Sequence, residues 1–310
     1  MILHKYKTLF FALLFISFIK IYADNEGTTA AQFLKISLNP RIEGMGGAGA
    51  ASYIDEVFYN PASVAKIDTV KTRTGYVSWF EDMNKANVFC AVPVEKINIK
   101  VGGNLSYFKI GDLKSYDSSG NETGDYKRNS SEISVFAARN IGRLSLGVVL
   151  KSVFEKYDSE SGSALGGDVG LIFQLSRSIA LGGAIQNLGS KLKIAGVEKE
   201  LPGNKKAGIQ FKPAEILSMN FDIDMPDDSE NRQHLGAEVE FAKNYFLRSG
   251  WQKFGDIKGV TFGFGLKFPS SSWSKPVYTR REEKMISVDY SYQTNSEFSS
   301  IHRFSIGVDF

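Results

Sequence analysis

A single cysteine, Cys90, occurs in the 310-residue chain. No intramolecular disulfide can form, so stability has to come from packing and backbone pairing. Past residue 23 no stretch approaches 18 consecutive apolar residues, which excludes a helical membrane protein. Net charge is missing too. Three lysines (Lys5, Lys7, Lys20) fall in the first 23 residues, and the remaining 34 basic residues face 34 acidic ones. The basic pI therefore gives no argument for a nucleic-acid partner. Histidine is scarce: beyond residue 23 only His234 and His302 remain. No serine motif with glycine spacing accompanies them, and no Cys/His cluster offers metal ligands. No catalytic residue and no metal site is assigned, and the chain reads as a non-enzyme.

What the chain does have is 30 glycines and 13% aromatic residues, a mixture that suits strands, tight turns and membrane girdles. Residues 1–23 carry a basic start (His4, Lys5, Lys7), an apolar run from Leu9 to Ile19 and then Tyr22-Ala23. This pattern is a secretory signal peptide with cleavage expected after Ala23, and the run is short for a membrane span. No cysteine follows that point for lipid attachment. The exported chain is then either soluble or a β-barrel in the outer membrane of a diderm bacterium.

From Val70 onward the hydrophobic period is two. Val260, Phe262, Phe264, Leu266 and Phe268 alternate with Thr261, Gly263, Gly265 and Lys267; Phe304, Ile306, Val308 and Phe310 alternate with Arg303, Ser305, Gly307 and Asp309. About 14 such segments are expected, near 70–80, 84–93, 97–110, 131–139, 143–156, 166–175, 178–187, 205–212, 216–224, 233–241, 244–251, 258–267, 284–293 and 301–310. Their lengths suit tilted strands crossing a bilayer, and an even count returns the chain to its starting side. Short turns alternate with longer polar loops at about 111–130, 157–165, 188–204 and 225–232. Residues 269–283 break that rhythm by being long on the short side. The polar face carries Asp222, Asp224, Glu238, Glu240, Arg248, Lys267, Asp289, Lys151 and Arg303. The opposite face is apolar and aromatic on almost every strand, which favours a barrel in lipid over a soluble sandwich. The expected fold class is all-β: a transmembrane antiparallel β-barrel of about 14 strands with an N-terminal plug. A last strand ending in Phe310 resembles the insertion signal of outer-membrane barrels.

Residues 24–69 are the expected plug, and residues 70–310 the barrel. The plug is small-residue-rich and too apolar for a solvated linker. A short helix is expected from Thr28 to Leu34, capped by Thr28 or Thr29 and broken at Asn39-Pro40. Gly44, Gly46, Gly47 and Gly49 allow tight turning and close approach to a wall. Gly44 to Gly49 spell a dinucleotide fingerprint with Asp68 downstream. The context is wrong, because Pro40-Arg41 precedes it and no βαβ alternation follows, so no cofactor is expected. Asn60 caps a short helix that starts at Pro61 and runs to about Lys66.

The run Phe33-Leu34-Lys35-Ile36, then Pro40-Arg41, Gly44-Met45-Gly46-Gly47-Ala48 and Asn60-Pro61-Ala62 resembles the start of the PorV/PorQ family, which is grouped with the FadL-like outer-membrane transporters. The chain is shorter than a typical fatty-acid transporter. The resemblance implies a 14-strand barrel with an N-terminal hatch. It also implies a role in binding or handing on exported proteins, with secreted proteins or type IX translocon subunits as partners. The alternative is FadL-like transport of a small hydrophobic molecule, and outer-membrane lipid is a partner in both readings.

Overall fold

The computed structural model describes residues 27–80, 82–111, 113–116, 118–126, 128–254, 257–270, 284–294 and 300–310. The expected signal peptide at 1–23 and most of the 269–283 connection lie outside them. Fourteen antiparallel strands close into one barrel: β1 (Lys71–Ser78), β2 (Asn84–Val94), β3 (Ile99–Lys109), β6 (Arg128–Ile141), β7 (Leu144–Tyr157), β8 (Glu160–Gln174), β9 (Ile179–Gly189), β12 (Asn204–Ala214), β13 (Leu217–Pro226), β14 (Arg232–Ala242), β15 (Tyr245–Phe254), β16 (Ile257–Pro269), β17 (Met285–Gln293) and β18 (Ile301–Asp309). Two small hairpins, β4 (Leu113–Tyr116) with β5 (Glu122–Tyr126) and β10 (Leu192–Ile194) with β11 (Val197–Lys199), ride on the loops of one end. β1 closes the ring by pairing with β2 on one side and β18 on the other, from Lys71↔Asp309 to Ser78↔His302. The Phe310 amide extends that seam by donating to the Val70 carbonyl at 2.9 Å. A closed ladder leaves no unpaired edge, which is what a strand structure in hydrocarbon requires.

The side-chain alternation runs as the period of two requires. Along β7, every second residue is buried, with Val149, Lys151, Val153 and Glu155 inward and Val148, Leu150 and Phe154 exposed. Val88, Leu150, Leu165 and Phe262 are more than half exposed on the outer wall. Lys151, Asp168, Asp222, Asp224, Glu238, Arg248, Asp289 and Arg303 are buried on the inner wall. An apolar exterior around a charged interior inverts the soluble pattern and fits a lipid surround.

The structure corrects the expected connections. Residues 157–165 are not a long loop: β7 and β8 continue past it and meet at a turn of residues 158 and 159. Ser161 and Ser163 lack the apolar partners that mark a strand in sequence, yet pair with Lys156 and Phe154. The loops at 111–130 and 188–204 are hairpins rather than open loops. The 225–232 loop shrinks to residues 227–231.

Residues 28–69 precede β1 and are buried over most of their length. The expected helix at Thr28–Leu34 is a short 3-10 helix, Gln32–Lys35, with no side-chain cap; Thr29 spends its hydroxyl on Asp228 instead. Pro40 does not merely break a helix. It opens one α-turn, Pro40–Glu43, capped by Asn39 Oδ1, which accepts from the Ile42 amide at 3.1 Å. The segment from Pro61 to Lys66 is a 3-10 helix capped as expected by Asn60, whose Oδ1 accepts from the Ala62 amide at 2.9 Å.

Candidate functional site

The N-terminal segment crosses the lumen and touches opposite walls. At one wall, the turn Gly44–Gly49 carries left-handed backbone at Gly46 (φ 69°) and Gly47 (φ 83°). The wall is glycine there as well. A Cβ on Gly236 would lie 2.2 Å from the Met45 carbonyl oxygen, and one on Gly250 would lie 2.2 Å from the Gly46 nitrogen. Two backbones therefore meet with no side chain between them. The bonds across this contact are polar. The Gly46 amide donates to Thr261 Oγ1 at 2.9 Å, and His234 Nδ1 donates to the Gly46 carbonyl at 2.6 Å. One carboxylate oxygen of Asp222 accepts from both the Gly49 and Ala50 amides at 2.7 Å.

At the other wall stands Asn60. Its Nδ2 donates to Ala50 within the segment at 2.7 Å and to the Leu171 carbonyl of β8 at 2.9 Å. A Cβ on Gly170 would lie 2.1 Å from Asn60 Oδ1, and one on Gly147 would lie 2.3 Å from the Pro61 carbonyl carbon. Asn60-Pro61-Ala62 thus works as a backbone-length clip. The side chain satisfies carbonyls on both partners, and glycines on β7 and β8 admit it.

Charges complete the lock. Arg41 makes a forked pair with Glu238, through Nε to Oε2 at 2.9 Å and Nη2 to Oε1 at 2.7 Å. Arg248 bridges Glu238 and Asp289, each at 2.7 Å. Arg73 links Asp289 at 3.3 Å back to Asp55 of the segment at 3.2 Å. The chain of charges leaves the segment at Arg41, crosses β14, β15, β17 and β1, and returns at Asp55. Arg303 pairs with Glu43 at 3.0 Å and donates to the Ser37 carbonyl at 3.2 Å. The Tyr59 hydroxyl lies 2.6 Å from both Glu43 and Ser37 Oγ. Forked, mutually neutralising pairs of this kind are strongly coupled when buried.

Beyond the lock, toward the end that carries the hairpins, the lumen opens into a cavity of about 430 Å³. Phe33, Trp79, Phe80, Met83, Phe108 and Ile110 form one side of it. They belong to, or pack against, an apolar cluster built on Phe33, Leu34 and Ile36 of the segment. Lys206, Arg232, His234 and Arg303 also line it, with the Arg303 guanidinium 5.2 Å from the centre of the Trp79 ring. A smaller cavity of about 80 Å³ lies next to it, lined by polar groups such as Asn87, Lys151 and Asp168, and shares Phe58, Lys206 and Asp224 with the larger one. The start of the segment is pinned at the cavity's edge: Asp228, in the loop between β13 and β14, accepts from Thr29, Lys35 and Gln32. Burial alone would raise the Asp228 carboxyl, but those three donors outweigh it and hold it below the usual carboxylate range.

The residues singled out from sequence thus fall into two places. Pro40, Arg41, Gly44, Met45, Gly46 and Gly47 lie along the wall from β14 to β18, and Asn60, Pro61 and Ala62 against β7 to β9. Phe310 is half-exposed at the closing seam, under the Lys284 ammonium. His234 and His302 lie on opposite faces of the wall, His302 against Tyr290 on the outside. Sequence reasoning missed Trp79, Phe80, Met83 and Phe108 as cavity residues. It also missed the wall glycines, whose only signal is their place on the inward phase of a strand.

A closed fourteen-strand barrel with an apolar exterior and a polar, occupied lumen has the architecture of outer-membrane barrels. Among solved structures, the chain is similar to the toluene transporter TodX of Pseudomonas putida, at 12% identity and a TM-score of 0.62 over 86% of this chain and 96% of that one. It is also similar to the toluene transporter TbuX of Ralstonia pickettii, at 14% and 0.60 over 88% and 98%. A FadL homologue of Pseudomonas aeruginosa matches at 12% and 0.57 over 89% and 98%. At these identities the likeness is one of fold. No protein-family model matches the sequence, and no curated protein matches it.

Proposed function

We propose that this protein is a non-enzymatic outer-membrane barrel that admits small hydrophobic molecules through its cavity. In this reading the signal peptide is removed after Ala23, residues 24–69 form a plug, residues 70–310 form the barrel, and Phe310 serves insertion. The observation that carries the reading is the cavity of about 430 Å³ with an aromatic wall made jointly by the plug and the barrel. Ligand pockets of roughly 300–1,000 Å³ with an apolar wall and a few polar groups suit small molecules. The fold shared with TodX, TbuX and the FadL homologue supports the same reading and suggests ligands of aromatic-hydrocarbon size. The secretion role implied by the PorV/PorQ resemblance, with secreted proteins or translocon subunits as partners, rests on that resemblance alone.

The test is equilibrium binding of a phenylnaphthylamine dye to the purified barrel, with toluene as competitor. Saturable binding that toluene displaces is expected. Phe108→Asp should weaken it at least about tenfold, because a carboxylate then sits unpaired in the apolar wall. Dye uptake that never saturates, or that Phe108→Asp leaves unchanged, sinks the proposal.

A further inference from the structure

Exposed charges stand at both ends of the barrel. At the hairpin end four exposed pairs form, Lys114 with Glu122, Lys191 with Glu200, Lys193 with Glu198 and Lys205 with Asp227, while Lys109, Lys156, Lys199 and Lys258 are exposed without a salt-bridge partner among the described residues. At the turn end, where β1 begins and β18 finishes, no exposed charges pair among the described residues. Lys96, Arg139, Arg143, Arg177, Lys243 and Lys284 are exposed there, and none has a salt-bridge partner among the described residues. They occupy five of the six strand-to-strand connections at that end and so lie around the rim rather than on one side of it. Among the described residues, the exposed acids of the six connections are Glu95 and Glu215.

Each basic group also sits beside an exposed apolar one. Ile97 follows Lys96, Ile141 lies between Arg139 and Arg143, and Leu175 is two residues from Arg177. Phe241 and Tyr245 flank Lys243 and stack edge-on at 6.0 Å. The Lys284 ammonium lies 4.4 Å from the centre of the Phe310 ring. A basic head next to an outward apolar group is how side chains span the boundary between acyl chains and headgroups.

We infer that this rim binds anionic phospholipid headgroups of the leaflet facing the short turns. The inference rests on the proposal that the barrel spans a membrane, and adds a lipid preference to it. A ring of six unpaired cations level with the edge of the apolar wall meets lipid on every side. A soluble acidic partner would need the cations on a disc facing water and would have no use for the apolar groups between them. The strand pattern points the other basic residues of this end, such as Lys212 and Lys267, into the barrel mouth, away from lipid.

The test reconstitutes the full-length chain in nanodiscs of phosphatidylcholine doped with phosphatidylglycerol and reads the retained lipids by native mass spectrometry. Phosphatidylglycerol should be enriched at least about threefold over its share of the bilayer. The variant carrying K96Q, R139Q, R143Q, R177Q, K243Q and K284Q should retain lipids in bulk proportion, with the strand circular dichroism unchanged. If that variant fails to fold, the two triple variants (K96Q, R139Q and R143Q; R177Q, K243Q and K284Q) should each lose part of the enrichment. Bulk proportions around the wild type, or enrichment that survives the substitutions, overturns the lipid rim while leaving the membrane reading intact. A chain that does not enter the bilayer overturns both. A poly-glutamate peptide that binds the wild type and not the variant, with lipid proportions equal in the two, assigns the rim to an acidic protein and overturns the inference.

Discussion

The two halves of the lumen are built on different principles. Around Gly46, Asn60 and Arg41 the N-terminal segment is bonded backbone to wall, with glycine facing glycine and a closed circuit of ion pairs. Around Phe33 an apolar cluster carries it, together with Lys85, whose ammonium donates to the Phe33 and Ile36 carbonyls, and a cavity is left beside it. Directional bonds at short range specify one position. Apolar contact tolerates rearrangement, and an unfilled volume can accept a molecule. On the proposed reading, the locked half seals the barrel and the apolar half is where occupancy can change.

The largest effect is expected from breaking the charge circuit. Arg248→Ala leaves Glu238 and Asp289 without their shared bridge and should cost about 3–5 kcal/mol, because buried charges lose their partner; unfolding of the barrel in urea measures it. Gly250→Val should come next. Its side chain would occupy the space of the Gly46 backbone, and overpacking of this kind costs typically about 1–3 kcal/mol. Faster amide exchange over residues 44–50 than over residues 29–38 would locate the damage. Asn60→Ala strands the Ala50 and Leu171 carbonyls and should cost about 1–3 kcal/mol, with exchange rising at residues 60–66 first.

The smallest effect belongs to the apolar half and is pH-dependent. The Asp228 carboxyl is depressed in the folded state. Its contribution is therefore complete above the ordinary carboxylate value of about 4 and is lost as pH falls through the folded value. Acidification below about pH 4 should loosen residues 29–35. Asp228→Asn should produce the same loosening at neutral pH and remove the pH dependence, as read by amide exchange. If residues 44–50 loosen before residues 29–35, the contrast between the halves is wrong.

The barrel was legible in the sequence because its signal is local. Each of the fourteen strands carries its own alternation, and an apolar outer wall and a charged lumen keep the phase unbroken. The β7–β8 turn was not, since Ser161 and Ser163 extend β8 through pairing alone. The two polypeptide segments of the lock, Gly44–Gly49 and Asn60-Pro61-Ala62, stood out by composition and by family resemblance. Their partners did not. Arg41 and Glu238 are 197 positions apart, and Glu238 in sequence is one of several inward acids with nothing to single it out. Closure of the ring chooses among them. The cavity was hidden for the same reason: Trp79, Phe80, Met83 and Phe108 become neighbours only when the loop after β1 and the end of β3 fold over Phe33.

The central claim is that a small hydrophobic molecule occupies the apolar half while the locked half stays as it is. Amide hydrogen exchange of the full-length chain in a bilayer, with and without a saturating hydrophobic dye, tests it most directly. Added protection over residues 29–38 with no change over residues 44–67 is the expected result. Protection or release over residues 44–67, or no change anywhere, would contradict it.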